Sequence, residues 1–161
     1  MKSFLMTLAS VIVLTLLHEF GHYITAKIMK QTVYGYGVRL FPYPSIYVSI
    51  KFPSENYKKN IYLFSGFFFT ICSFLIFFKF DFFNLDFLFW AYFIQLLIET
   101  NPFYSDFTIA YITNKYKSYD GRSYIKFHNL YMRSKFWYLH FVLWLAVIIL
   151  LLNYKFPIFL L

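Results

Sequence analysis

The sequence is poor in the residues that would stabilise or subdivide a soluble protein. Cys72 is the only cysteine among 161 residues, so an intramolecular disulfide and a cysteine-based metal site are both excluded. Charged side chains make up only 14% of the chain and hydrophobic ones 60%, which is more apolar surface than a soluble domain of this length can bury. Internal repeats and low-complexity linkers are also missing. These absences predict a single membrane domain over residues 1–161.

The few charges are strongly unbalanced, with 15 basic residues against 7 acidic ones and a net charge of +8. Such an excess can indicate nucleic acid, but here the basic residues lie in two loops between apolar segments. That placement is typical of membrane topology, so we expect the lipid bilayer and no nucleic acid as a partner. The two loops hold 12 of the 15 basic residues: Lys27, Lys30, Arg39, Lys51, Lys58 and Lys59 in the first, and Lys115, Lys117, Arg122, Lys126, Arg133 and Lys135 in the second.

Four apolar segments are long enough to cross a bilayer, which takes about 20 residues per helix. They cover residues 4–28, 61–78, 87–112 and 137 to the C-terminus. The fold class predicted is an all-α polytopic membrane protein with about four transmembrane helices. A signal peptide is the alternative for the first segment, because Lys2 precedes its apolar core. However, its polar cluster "HEFGH" is unlike a cleavage region, and apolar residues resume after it.

The distribution of Lys and Arg also predicts an orientation. If four helices span, both basic loops lie on the same side, and the positive-inside rule places that side in the cytoplasm. The protein is then a multi-pass cell-membrane protein with both termini outside. The first loop contains "VYGYGVRLFPYPSIYVSIKF", which predicts a small β-hairpin, two short strands around a turn that includes Pro42 and Pro44.

The motif "HEFGH" interrupts the first apolar segment. His18 and His22 are four residues apart, so they share one face of a helix and can bind one Zn²⁺. Glu19 can act as general base toward the attacking water, and Gly21 is expected to leave the helix surface beside the metal open. The plainer interpretation is a helix end whose polar side chains reach the interface. Ionisable residues inside a membrane are nevertheless functional by default.

A catalytic zinc usually has a third protein ligand, and the third segment offers two candidates. Glu99 and Asp106 would share a face of an unbroken helix, but Pro102 lies between them and predicts a kink or local opening. Either carboxylate can serve as the ligand. Glu99 can instead pair with Gln95 or support a ligand, and Asp106 can be an ordinary helix-end residue. His128 and His140 lack ligand spacing and are predicted to be structural or interfacial.

Together, "HEFGHYITAK", the β-rich loop behind it and "NPFYSDF" in a later segment resemble the site-2 protease family of intramembrane zinc metalloproteases. The resemblance covers a catalytic core of about residues 4–112, followed by a C-terminal basic loop and helix at 113–161. It implies Zn²⁺ as cofactor, His18, His22 and Asp106 as its ligands, and Glu19 as the base. Asn101 and Pro102 match the Asn-Pro element before the family's Asp, which favours Asp106 over Glu99.

The chain departs from the family pattern at two places. Phe107 follows Asp106 where the family usually has Gly, and the gap from Asn101 to Asp106 is short. The family's middle helix often has Gly followed four residues later by Asn, where this chain has Gly66 and Thr70. Thr70, Asn101 and Glu99 are therefore only candidates for supporting or substrate-binding roles.

The function expected is zinc-dependent hydrolysis of peptide bonds in transmembrane segments or hydrophobic precursor peptides, with the site toward the cytoplasm. Substrate selection would come from the core or from a membrane partner. One alternative is a non-proteolytic membrane scaffold or regulatory protein with a structural or degenerate metal site, which the missing glycine at Phe107 favours. The other is a zinc protease that uses Glu99 as third ligand.

Overall fold

The described residues are mostly helical, with one hairpin after the first helix, as predicted. The structure is a computed structural model that describes residues 2–39, 45–51, 53–116 and 124–155. Its helices are α1 (Lys2–Ile28), α2 (Asn56–Lys79), α3 (Asp86–Glu99), α4 (Asp106–Lys115), α5 (Tyr124–Met132) and α6 (Lys135–Lys155), with a 3-10 turn at Phe82–Asn84. Its strands are β1 (Val33–Arg39) and β2 (Ser45–Ile50).

The two strands pair antiparallel, which confirms the predicted hairpin. Tyr36 lies opposite Val48, and the register is irregular between Val33 and Gly35. The predicted turn with Pro42 and Pro44 lies outside the described residues, as do Lys117 and Arg122 of the second basic loop and residues 156–161 of the fourth apolar segment.

Three of the described helices are long and apolar enough to cross a membrane. They are α1, α2 and α6, with mean hydropathies of 1.8, 2.2 and 2.1 over their most apolar windows. These helices correspond to the first, second and fourth predicted segments. No described residue of α6 is fully buried, and apolar side chains such as Val142 and Leu150 are largely exposed, which is typical of a helix that faces lipid.

The third predicted segment is divided into two shorter helices. The 14 residues of α3 extend about 21 Å and the 10 residues of α4 about 15 Å, whereas the hydrocarbon core of a bilayer is about 30 Å thick. The break lies at Pro102, as the sequence predicts, because proline lacks the amide hydrogen that a continuous helix needs there. Of the four predicted segments, three thus form helices that are long and apolar enough to cross a membrane.

The chain divides into two compact units, Met1–Gln95 and Leu96–Leu161. In the first unit, α1 packs against α2 and the hairpin, and its apolar core includes Leu14, Phe83, Phe89, Ala91 and Tyr92. Helix α1 stops where Lys30 takes the left-handed conformation, with φ of 55°. In the second unit, α4 and α5 contact each other, as do α5 and α6, around a core of Ile112, Phe127 and Tyr131.

Candidate metal centre

The motif residues lie together on α1 and face α2. The imidazole Nε2 atoms of His18 and His22 are 3.0 Å apart. One ligand atom from each of His18, Glu19 and His22 lies within 4.8 Å of the others. His22 is only 5% exposed, and the other two side chains are half-buried. The predicted cluster is thus present in the folded chain, at the spacing that its positions on one helix dictate.

A backbone carbonyl of α2 fixes the tautomer of His22. Its Nδ1 lies 2.8 Å from the Tyr62 carbonyl oxygen, which can only accept, so Nδ1 carries the proton and donates it. The Nε2 atom of neutral His22 therefore carries a lone pair, directed toward His18. Ser65 donates to the same carbonyl at 2.6 Å, and the Tyr62 ring packs on the His22 ring. A hydrogen bond on the far nitrogen is the usual support of a histidine metal ligand.

Two glycines bring α1 and α2 into close contact, and their roles differ. A β-carbon on Gly21 would lie 2.7 Å from the Ser65 carbonyl oxygen, so Gly21 faces the α2 backbone. The expectation that Gly21 leaves the surface beside the metal open is therefore wrong. Gly66 on α2 is the glycine that faces the imidazoles, because a β-carbon there would lie 2.6 Å from His18 Nε2 and 2.7 Å from His22 Nε2.

This arrangement fits zinc in its donor set and its spacing. Two imidazole nitrogens on a tetrahedral zinc, each bonded at about 2.0–2.1 Å, would be about 3.3 Å apart. The observed 3.0 Å is close to that value, and the missing side chain of Gly66 leaves space next to both nitrogens. The same distance also fits one N–H···N hydrogen bond, donated by His18 to the lone pair of His22. Metal analysis distinguishes these two states.

The Glu19 carboxylate is held by the hairpin. Its Oε2 accepts a hydrogen bond of 3.0 Å from the backbone amide of Val48 on β2, and the Val48 carbonyl accepts one of 3.0 Å from the Tyr62 hydroxyl. Residue 48 thus connects the carboxylate of α1 to the side chain of α2. This hydrogen bond orients the Glu19 carboxylate beside the histidine pair.

The remaining candidate residues are distributed over both units. Thr70, in the first, is fully buried and donates to the Gly66 carbonyl at 3.4 Å; its predicted role toward a reacting carbonyl stays a prediction. Gln95 accepts from Thr15 at 3.1 Å. Glu99, the last residue of α3, is buried and belongs to the second unit.

Asn101 and Asp106 organise the connection from α3 to α4. The Asn101 side chain accepts hydrogen bonds from the amides of Phe103 and Tyr104, each 2.9 Å, and donates to the Ile98 carbonyl. It therefore shapes the turn at Pro102. Asp106 is the first residue of α4, where a carboxylate is favoured by the helix dipole by about 0.3–1 kcal/mol. Its position has this structural reason whether or not it binds a metal.

Sequence reasoning missed the backbone groups that support the site. The Tyr62 carbonyl and the Val48 amide act through atoms that every residue carries, so no residue type marks them. The glycine at position 66 was noticed only for its place in a family pattern. No protein-family model matches the chain, and no curated protein or solved structure is significantly similar to it.

Replacing Gly66 with Ala is expected to weaken zinc binding by at least about tenfold, the lower end for changes around metal ligands. The added methyl group would contact the Nε2 atoms of His18 and His22 and force an imidazole to move. Zinc affinity is measured by competition with a chromophoric chelator. Gly35→Ala is the matched control, because a β-carbon there has no neighbour within 4 Å. Equal zinc affinities in the two variants would contradict a metal position between the imidazoles.

Proposed function

We propose that the protein is an intramembrane zinc metalloprotease that hydrolyses peptide bonds in transmembrane segments or hydrophobic precursor peptides. The observation that carries the proposal is the facing pair of His18 and His22 nitrogens over Gly66, beside a carboxylate that the hairpin orients. The resemblance of the same residues to the site-2 protease family supports it. The apolar helix α1, which contains the motif, supports a substrate already in the membrane.

Each residue has a distinct task in this proposal. His18 and His22 hold Zn²⁺, with Asp106 as the third ligand and Glu99 as the alternative. When bound, zinc supplies a Lewis acid that lowers the pKa of water and polarises a carbonyl. Glu19 takes the proton from the attacking water and returns it to the leaving amine nitrogen. In the same proposal, α3 and α4 together form the fourth passage through the membrane.

The hairpin offers a place for an unwound substrate. Both main-chain polar groups of Val48 point away from β1, because they bond to Glu19 and Tyr62. In an antiparallel pair, the opposite residue then directs its own amide and carbonyl outward. That residue is Tyr36, and β1 has no second strand beside it among the described residues. We propose that a substrate strand adds to this edge of β1.

Zinc content is the first test of the proposal. Purified protein is expected to contain about one zinc per chain, as a single catalytic site requires. His22→Ala should lose most of it, because the lone pair directed toward His18 is removed. Elemental analysis of the wild type, His22→Ala and the double variant His18→Ala/His22→Ala measures this. Stoichiometric zinc in the double variant would place the metal elsewhere.

The same pair of nitrogens also supports a second candidate function, a membrane scaffold or regulatory protein without proteolysis. The His18–His22 distance of 3.0 Å is also that of a direct hydrogen bond, which would stabilise α1 without any metal. Wild-type protein that remains zinc-free after dialysis against micromolar zinc would favour this candidate.

The proposed orientation places the zinc site toward the cytoplasm. In a Cys72→Ser background, a cysteine at Lys58 is expected to resist an impermeant thiol reagent added to intact cells. A cysteine at Asn84, past the far end of α2, should react. Permeabilised cells are the control, because both positions should then be labelled. Labelling of position 58 alone in intact cells would invert the topology.

A further inference from the structure

The break in the third apolar segment leaves backbone carbonyls that need partners. Helix α3 ends at Glu99, with a last helical hydrogen bond of 3.0 Å from the Thr100 amide to Leu96. The carbonyls of the last helical turn have no amide one turn further along the same helix. Unpaired carbonyls inside a membrane cost several kcal/mol each, at roughly the level known for burial of unbonded amides.

Side chains from α5 and α6 bond to one of these carbonyls and to two more in the break that follows α3. His140 donates from Nε2 to the Thr100 carbonyl at 3.0 Å, and Trp144, one turn further along α6, donates to the Leu97 carbonyl at 3.2 Å. His128 of α5 bonds to the Phe103 carbonyl. The three side chains follow the chain through the break, so the opened segment is held along its length.

The imidazole of His140 is itself fixed in one tautomer. Since Nε2 donates to a carbonyl, Nδ1 of the neutral ring accepts, and the Tyr131 hydroxyl lies 2.6 Å from it. Burial raises the pKa of Tyr131 to about 12, so that its hydroxyl keeps the proton that it donates. A ring held at both nitrogens has no freedom to turn away from Thr100.

Both ends of the break meet this one ring. Thr100 begins the turn, and Phe107, which follows Asp106, packs edge-on against the His140 ring with centroids 6.1 Å apart. A glycine at position 107, as in the family pattern, would offer no ring for this contact. Phe107, directly after Asp106 in the chain, is therefore in contact with His140 of α6.

We propose that His140 is a positioning residue for Asp106, holding Thr100 and Phe107 so that the Asp106 carboxylate is set in place for the metal. This rests on the proposed function, in which Asp106 is the third zinc ligand. Because His140 is half-buried and also packs against its neighbours, the test needs a measurement that general destabilisation does not change.

The test is a double-mutant cycle on zinc affinity, measured on the full chain in detergent by chelator competition. His140→Ala is expected to weaken zinc binding by about 10–100-fold, the range for residues that support metal ligands. His140→Gln, whose amide can still donate to Thr100, should recover most of this loss. In an Asp106→Asn background, His140→Ala should have little further effect, because the group it positions is already altered. Val142→Ala is the control on an exposed face of α6.

The possible outcomes separate the positioning role of His140 from the proposed set of zinc ligands. If His140→Ala weakens zinc binding equally with Asp106 present and with Asp106→Asn, the positioning role is overturned while the zinc site stands. If Asp106→Asn binds zinc like the wild type, the proposed ligand set is wrong. Should His140→Ala fail to fold, Tyr131→Phe replaces it in the cycle, because it keeps the ring volume and removes only the donor to His140. Additive effects in that cycle would equally overturn the proposal.

Discussion

Glu19→Gln is expected to leave the zinc content unchanged while slowing peptide cleavage by about 10²–10⁴-fold, the usual loss when a general acid–base group is removed. The amide cannot take a proton from water, but its oxygen can still accept the hydrogen bond from the Val48 amide. The hairpin should therefore keep its attachment to α1. A change at this one residue thus separates chemistry from folding and from metal binding.

The measurement combines metal analysis with a cleavage assay on one preparation. Its substrate comes from comparing membrane peptides of cells that carry the wild type or Glu19→Gln, since the true substrate accumulates uncut only in the variant. Glu19→Ala is a useful companion, because it also removes the acceptor for Val48 and should additionally lower the melting temperature. Cleavage by Glu19→Gln at the wild-type rate would rule out Glu19 as the base.

Asp106→Asn is expected to weaken zinc binding strongly, because a neutral amide replaces an anionic ligand. Glu99→Gln is the matched comparison, since it makes the same chemical change at the other carboxylate of the third predicted segment. If Glu99 only supports a ligand, its effect should remain within about 10–100-fold in affinity or activity. Chelator competition on both variants gives the ratio directly. Zinc loss in Glu99→Gln with retention in Asp106→Asn would assign Glu99 as the ligand.

The elements that depend on local sequence were predicted correctly. The motif on α1, the hairpin and the break at Pro102 each follow from residue type and spacing over a few positions. In the third segment, Pro102 predicts the kink or local opening, but the sequence does not show how much of the helix is lost there. The two helices that form there, α3 and α4, are each too short to cross the hydrocarbon core alone.

The support of the site could not be predicted, because it depends on contacts between distant parts of the chain. His22 bonds to a carbonyl 40 residues away, and Glu19 to an amide 29 residues away. Gly21 and Gly66 are both glycines on facing helices, and only their packing shows which one faces the imidazoles. His140 lacks ligand spacing, as noted from the sequence, but its contacts with Thr100 and Phe107 arise only in the fold.

The length of α1 makes the candidate centre sensitive to the thickness of the bilayer. Its 27 residues extend about 40 Å, roughly 10 Å more than the hydrocarbon core. Helices that exceed the local thickness accommodate the excess chiefly by tilting. Tilting displaces the ends of a helix more than its middle, and His18 and His22 both lie in the C-terminal half of α1. Lipids of different chain length should therefore change how deeply the imidazoles lie below the headgroups and how readily water reaches them.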